Sequence, residues 1–512
     1  MIRKIRIFLA TIFFFGITLM FLDFTGTIHI YLSWMTRLQF WPALLGLSII
    51  PLIIVLALTL IFGRIYCSVI CPMGVFQDII ARIGRIGKRN PYRFSEAKTK
   101  LRIAFLVVMI ALFPFGLTSL LAPYSAFGRI ASTFFRPLWI YGNNILAGVA
   151  EHFDSYLFYR ADVLLTGGIT LIIAVVTIVI VGVLSFRGGR TYCNTICPVG
   201  TILGFIARYS FLKVRINTDA CKNCGKCGKN CKAACIDTKN HKIDYSRCVV
   251  CGDCLENCEF LALEYGYNTK SGFNAIARGY KPMRKREEKL TKENGKLKVE
   301  SGVDLGRRGA LVGMAIATTT AVLAQEKKKV DGEIAAIKDK EAPLRKTPIL
   351  PPGARSWKHM SHHCTACQLC VSACENKVLR PSTDLHHFMQ PVMSYEEGYC
   401  RPECHACSSV CPANAIENIG VETKASTKIG TAVFIKKNCI SLEGEWECGN
   451  CARHCPTGAI EMVPSDPDDE SSPLMPAVDE TRCIGCGACE NLCPARPFSA
   501  IYVEGIEVQK EI

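Results

Sequence analysis

Cysteine is the residue type on which the chemistry of this chain must turn. The sequence holds 29 cysteines, and 24 of them fall into six groups of four with two or three residues between most neighbours. Disulfide frameworks of that density belong to short secreted chains. This chain has 512 residues, and the regular spacing suits metal–sulfur ligation far better. The five cysteines outside the groups are Cys67, Cys71, Cys193, Cys197 and Cys235.

The first two groups read Cys221-x2-Cys224-x2-Cys227-x3-Cys231 and Cys248-x2-Cys251-x2-Cys254-x3-Cys258. This is the bacterial two-cluster ferredoxin arrangement. Three closely spaced thiolates hold one cubane, and the fourth cysteine of each run crosses to the other. The rule assigns Cys221, Cys224, Cys227 and Cys258 to one [4Fe–4S] cluster, and Cys248, Cys251, Cys254 and Cys231 to a second. Lys232 and Glu259 stand where proline usually follows the fourth cysteine, and Cys235 leaves the fourth ligand ambiguous. Structural zinc is the alternative, and two linked four-cysteine runs argue against it.

Four further runs lie toward the C-terminus: Cys364/Cys367/Cys370/Cys374, Cys400/Cys404/Cys407/Cys411, Cys439/Cys448/Cys451/Cys455 and Cys483/Cys486/Cys489/Cys493. Three of them end in Cys-Pro, at Pro412, Pro456 and Pro494, as in the ferredoxin signature. Sixteen ligands make four more clusters, six in all.

Cys67, Cys71, Cys193 and Cys197 belong to an internal repeat. Residues 64–74 read RIYCSVICPMG and residues 190–200 read RTYCNTICPVG. On a helix, Cys-x3-Cys sets two thiols one turn apart on one face. Two such pairs admit an extra iron–sulfur centre, a redox dithiol or a structural role.

The elements that must position these residues divide the chain. Mean hydropathy is +0.23, yet 20% of residues are charged, which fits a part-membrane, part-soluble protein. Apolar stretches near 7–22, 41–62, 101–122 and 163–186 approach the roughly 20 residues needed to cross a bilayer as a helix. The connector 63–102 carries nine Lys/Arg against two acids, which marks the cytoplasmic side. The connector 123–160 should face outward. The net charge of +16 follows from these loops and from Arg284-Lys285-Arg286, so no nucleic-acid partner is expected.

The expected architecture is multidomain: an α-helical transmembrane bundle of four spans plus one later signal or anchor span, with two α+β bacterial-ferredoxin-like [4Fe–4S] modules. The bundle covers 1–210 and the first module 211–268. A charged linker fills 269–302, a signal or anchor helix 303–325, and a second linker 326–355. The second module covers 356–512.

The stretch KIGTAVFIKKNCISLEGEWECGNCARHCP, residues 428–456, resembles the four-cluster periplasmic ferredoxin subunit of periplasmic nitrate reductase systems, NapG. The spans with paired Cys-x3-Cys-Pro motifs and a two-cluster ferredoxin resemble its membrane partner, NapH. The chain looks like both fused, membrane part first. The resemblance implies a quinol dehydrogenase that feeds a periplasmic reductase, with partners in the membrane quinone pool and the lipid bilayer. It also implies that the outer runs of the second module pair with each other, and so do the inner runs. Cys364, Cys367, Cys370 and Cys493 would then hold one cluster, and Cys483, Cys486, Cys489 and Cys374 its neighbour. Cys400, Cys404, Cys407 and Cys455 would hold a third, and Cys439, Cys448, Cys451 and Cys411 a fourth.

Arg307-Arg308, ahead of a weakly apolar stretch rich in Ala, Gly and Thr, resembles a twin-arginine export signal, with Val322-Leu323-Ala324 as a cleavage site. Gly309-Ala310-Leu311 departs from the common pattern. Export would put the first module in the cytoplasm and the second in the periplasm of a bacterial inner-membrane protein. Without export, both modules are cytoplasmic.

Other readings are narrowed by composition. No Cys-x2-Cys-His occurs, and the spans hold almost no histidine, with His29 and His152 at or outside their edges, so no haem is expected. No Gly-x-Gly-x-x-Gly follows a strand, so no nicotinamide site is expected. His362, His363, His386 and His387 read as surface residues near the clusters. Asp23 and Glu151 lie near span ends, where a solvated loop role is expected. Two readings from other classes remain: a maturation or regulatory membrane ferredoxin for a metalloenzyme, and a cytoplasmic-facing electron carrier.

Overall fold

The computed structural model describes residues 2–85, 92–155, 158–161, 167–269, 272–278, 330–331, 335–336, 339–443 and 447–512. Residues Met1–Lys281 and Glu341–Ile512 form one compact unit, and Pro282–Lys340 a second. In the second unit, Val330–Asp331 pairs with Ala335–Ala336 as an antiparallel hairpin. The expected export segment, 303–325, lies outside the described residues, as does most of the charged linker 269–302.

In the larger unit the bundle is built from α1 (Ile2–Leu22), α2 (Ile49–Phe62), α3 (Pro72–Ile83), α4 (Thr99–Ala111), α5 (Pro123–Ile130), α6 (Gly168–Gly188) and α7 (Pro198–Ala207). Two of the four expected spans, α1 and α6, are continuous helices of 21 residues, apolar enough to cross a membrane by length and composition. At 1.5 Å per residue each is about 30 Å long. The other two stretches are interrupted, which corrects the expectation of four unbroken spans. In 41–62, a short helix Phe40–Leu45 ends at Gly46, whose Cα sits against the Ala413 backbone, and Leu47 turns at φ 49° before α2 begins. In 101–122, α4 stops at Ala111. Pro114 has no N–H to donate and Gly116 adopts φ 68°, so the chain continues as two short 3-10 turns.

Each apolar helix nevertheless has the first cysteine-rich module at one end and the second module at the other. Arg3, at the start of α1, pairs with Asp253 at 2.9 Å, while Gly26, beyond its end, lies against Glu375. The order reverses on α2, where Gly46 precedes the helix against Ala413 and the Tyr265 hydroxyl donates to the Phe62 carbonyl at its end (3.2 Å). Ahead of α4, the Tyr92 N–H donates to the Lys229 carbonyl at 3.1 Å, and beyond it Gly116 meets Ser361 and Gln390. On α6, Thr170 donates to the Met389 sulfur at 3.6 Å, and past the far end the Arg190 N–H donates to the Lys232 carbonyl at 2.8 Å. The four helices therefore alternate in direction between the two modules.

The bundle's outer surface is apolar. Phe8 is 66% exposed, Ile53 58%, Val107 56% and Ile172 63%. From the two repeats, α3 and α7 each begin with proline at the first turn, directly after the second cysteine of each pair. A proline there has no intrahelical bond to lose and its fixed φ suits the helix.

Each pair of successive cysteine runs flanks a short antiparallel hairpin. In the first module it is Ile236–Asp237 with Lys242–Ile243. In the second it is Leu379–Pro381 with Pro391–Met393, and then Ile460–Asp466 with Asp469–Val478. Thr427–Phe434 pairs with Ile501–Glu511 to join the two halves of the second module. Residues 341–355, read from the sequence as linker, pack into this module. Ile349, Leu350 and Ala354 are buried there, and Arg345 pairs with the buried Glu490.

Candidate functional site

The hairpins determine which cysteines meet. In the first module, Cys227 has Cys221, Cys224 and Cys258 as electrostatic neighbours, and these four line one small cavity. Cys254 has Cys251, Cys248 and Cys231. The fourth cysteine of each run thus sits with the opposite run. Cys235 lies with Cys231 (Sγ–Sγ 3.5 Å) and also hydrogen-bonds Cys248. The hydrogen bond shared with Cys235 draws the Cys231 thiol below its ordinary range, while the Cys235 thiol is pushed up by its hydrogen bonds to Cys231 and Cys248 and by burial. Elsewhere burial pushes thiols up, Cys227 to about 11 and Cys251 to about 12. A bare thiolate is disfavoured at such sites, and cationic iron is the partner that makes it favourable.

In the second module, Cys364, Cys367, Cys370 and Cys411 line one cavity. Cys407 has Cys400, Cys374 and Cys404 as neighbours. Cys439 has Cys448 and Cys493, and Cys451 has the same two. Cys486 has Cys483 and Cys455, and Cys489 has Cys486 and Cys483. The pairing is thus between successive runs, first with second and third with fourth. This overturns the outer-with-outer and inner-with-inner pairing that the resemblance implied. Cys493 does not join Cys364, and Cys411 does not join Cys451. The reason is local: the hairpins at 379–393 and 460–478 fold the second run of each pair back onto the first before the chain can reach a more distant run.

Neighbouring sites touch in a line. Cys254 faces Cys227, Cys370 faces Cys407, the Cys400 N–H donates to the Cys486 carbonyl at 2.9 Å, and Cys489 faces Cys451. The ammonium of buried Lys424 reaches Cys400. No sequence motif announced that lysine.

Cys67, Cys71, Cys193 and Cys197 also come together, inside the bundle. All four are at most 4% exposed and belong to one apolar core cluster. Cys71 has Cys193 and Cys67 as neighbours, and Cys197 has Cys193, Cys71 and Cys67. The two repeats interlock reciprocally. Arg64 donates to the Cys193 carbonyl at 3.2 Å and Arg190 to the Cys67 carbonyl. Gly74 and Gly200 are in close contact with the same two carbonyls, and a Cβ at either would collide with them. The repeat that held the cysteines also held Arg64, Arg190, Tyr66 and Tyr192 at matching offsets, a signal the sequence reading left unused.

Asp78 of α3 ties this assembly to the first module. Its carboxylate pairs with Arg190 at 2.6 Å, Lys232 at 2.8 Å and Arg6 at 3.0 Å. Asp23 is buried, against the expectation of a solvated loop residue. It accepts from the Thr25, Gly26 and Ile28 amides and pairs with His29 at 2.9 Å. Glu151 pairs with Arg160 on the surface. His363 stacks on His359, and His387 lies 3.9 Å from the Trp357 ring.

A 4Fe-4S binding domain family model matches residues 44–91 and 167–218, and a 4Fe-4S dicluster domain model matches 446–496. The dicluster match takes in Cys448, Cys451 and Cys455 together with the fourth run, in keeping with the pairing of successive runs. Among curated relatives, the ferredoxin-type protein NapF of Escherichia coli (strain K12) is 28% identical over 156 residues, 30% of this chain and 85% of the relative. The methylamine utilization ferredoxin-type protein MauM of Methylobacillus flagellatus is 30% identical over 166 residues, 31% of this chain and 69% of the relative. The ferredoxin-type protein NapG of Escherichia coli (strain K12) is 28% identical over 153 residues, 28% of this chain and 65% of the relative. With its cysteine sites and these relatives taken together, the chain belongs to the family of ferredoxin-type [4Fe–4S] electron-transfer proteins.

Proposed function

We propose that the chain carries electrons from membrane quinol, through six [4Fe–4S] clusters in two modules, to a periplasmic reductase. The observation that carries this reading is the placement of the two modules at opposite ends of the same four alternating apolar helices. An aqueous protein rarely exposes so much contiguous apolar surface, and lipid is the medium that suits it. The first module then lies at the basic, cytoplasmic face. The second lies at the outer face, where a periplasmic reductase would meet it.

A cavity of about 390 Å³ between α1, α3 and the first module suits the quinol, within the usual range for ligand sites. Ala10, Phe14 and Val75 give it an apolar wall, and Arg6, Asp78 and Lys232 a polar end. Lys232 is the sequence neighbour of Cys231, so a headgroup at that end stands close to the Cys248 site. The clusters supply one-electron steps, and quinol releases two electrons and two protons. The residues of the chain hold the iron, screen it from water and tune it by hydrogen bonds.

Two measurements test this. A surface cysteine introduced in 356–512 should react with an impermeant reagent in intact cells; labelling only after lysis would sink the transmembrane conduit. A short-chain quinol should bleach the iron–sulfur absorbance of the purified protein. Bleaching by dithionite alone would leave a ferredoxin with another electron donor.

A further inference from the structure

The module sites form two lines of neighbours. One ends at the Cys248 site, the other at the Cys364 site, and the bundle lies between them. The four bundle cysteines sit in that gap. On one side, Arg64 is an electrostatic neighbour of Cys248 and donates to the Ser246 carbonyl at 3.0 Å, while its other arm lies 3.8 Å from the Cys67 sulfur. On the other side, Tyr66 neighbours Cys71, Cys67 and Cys197, and Tyr124 neighbours Tyr66, Cys367 and Cys411. One apolar core cluster contains the four cysteines, both tyrosines and Cys367, with Cys251 and Cys370 packed against it.

We propose that Cys67, Cys71, Cys193 and Cys197 together hold one further [4Fe–4S] cluster, which relays electrons across the bundle between the Cys248 and Cys364 sites. This rests on the conduit reading above and deepens it. Each of the two segments matched by the 4Fe-4S binding domain model contains only two cysteines, so four-thiolate ligation requires both segments at one site, as the fold provides. Charge points the same way. Arg64 is fully buried, and its partners are Asn194, Ser246, Cys193 and Cys67, with no carboxylate among its described ion pairs. A buried guanidinium calls for an anion, and a cubane with four thiolates carries about two net negative charges. The sulfurs already accept N–H bonds of the kind that tune such clusters: Gln77 donates to Cys193 at 3.0 Å, the Gly200 amide to Cys197 at 3.3 Å and Arg64 to Cys67 at 3.8 Å.

In the relay, the reduced cluster at the Cys248 site gives up one electron and returns to its oxidised level. The bundle cluster gains that electron and then passes it to the oxidised cluster at the Cys364 site. No bond forms or breaks and no further reactant is needed.

The test is iron and acid-labile sulfide per full-length chain, purified anaerobically, with Mössbauer spectra. The wild type should hold about 28 irons, against about 24 for six clusters alone. Cys67→Ala, Cys193→Ala and the double variant should each lose the same four, about one cluster. A wild-type count of about 24 irons would overturn the proposal without any variant, and so would full iron in the variants or losses that add in the double. Quinol should still reduce the Cys248 site in Cys193→Ala but no longer the second module, which dithionite still reduces. If quinol fails to reduce even the wild type, the quinol reading falls, while the iron count still decides the cluster.

Discussion

The module sites and the bundle site are built from the same residue in opposite ways. In the modules, three cysteines come from one run of a dozen or so residues, and a hairpin delivers the fourth from the next run. In the bundle, two pairs more than a hundred residues apart meet through reciprocal Arg64 and Arg190 contacts. A module site depends mainly on its own run and hairpin. The bundle site depends on helix packing, and it should respond to changes that never touch a cysteine.

The largest expected effect tests the module side of that contrast. Cys411→Ala should remove the same cluster as Cys370→Ala, and Cys493→Ala the same as Cys451→Ala, each costing about four irons. EPR of the singles and of each double would check it. A cluster shared by Cys493 and Cys370 would restore the pairing the structure overturned.

Next is Asp78→Asn. It leaves Arg190 and Arg6 without their carboxylate and Lys232 with Asp253 alone, and removing one partner of a buried pair costs about 3–5 kcal/mol. The junction of bundle and first module should loosen, read as faster proteolysis near residues 190–232 with the second-module clusters intact. Burial alone would raise the Asp78 pKa, but Arg190 and Lys232 outweigh it and hold the carboxyl well below its ordinary range. The stabilisation is therefore full above the ordinary carboxylate pKa and fades as pH falls toward the folded value. The Asp78→Asn variant should lose that acid dependence.

Gly200→Ala comes third. Its Cβ would run into the Cys193 carbonyl, and overpacking of this kind costs about 1–3 kcal/mol. Thermal unfolding of the bundle should shift while the module clusters keep their spectra. The smallest effect is expected of Gln77→Met, which removes the N–H donor to Cys193. A hydrogen bond to a charged acceptor is worth about 1.5–3 kcal/mol in stability, but its loss should be felt mainly as a lower potential of the bundle centre, measured by redox titration. No shift would argue that Cys193 holds no cluster.

The cysteine runs were legible in the sequence because a cubane needs thiolates at short, fixed intervals, and those intervals survive in any fold. The crossing of Cys231 and Cys258 in the first module was legible for the same reason. The pairing in the second module was not, because four similar runs admit several matchings, and hairpins Leu379–Met393 and Ile460–Val478 select one. Hydropathy located the apolar helices but not their breaks, since the chain turns at Leu47 and Gly116 where the second module presses on Gly46 and Gly116. The repeat flagged Cys67, Cys71, Cys193 and Cys197 as two pairs. Only tertiary packing made them four, because a buried arginine from each half must find the backbone of the other.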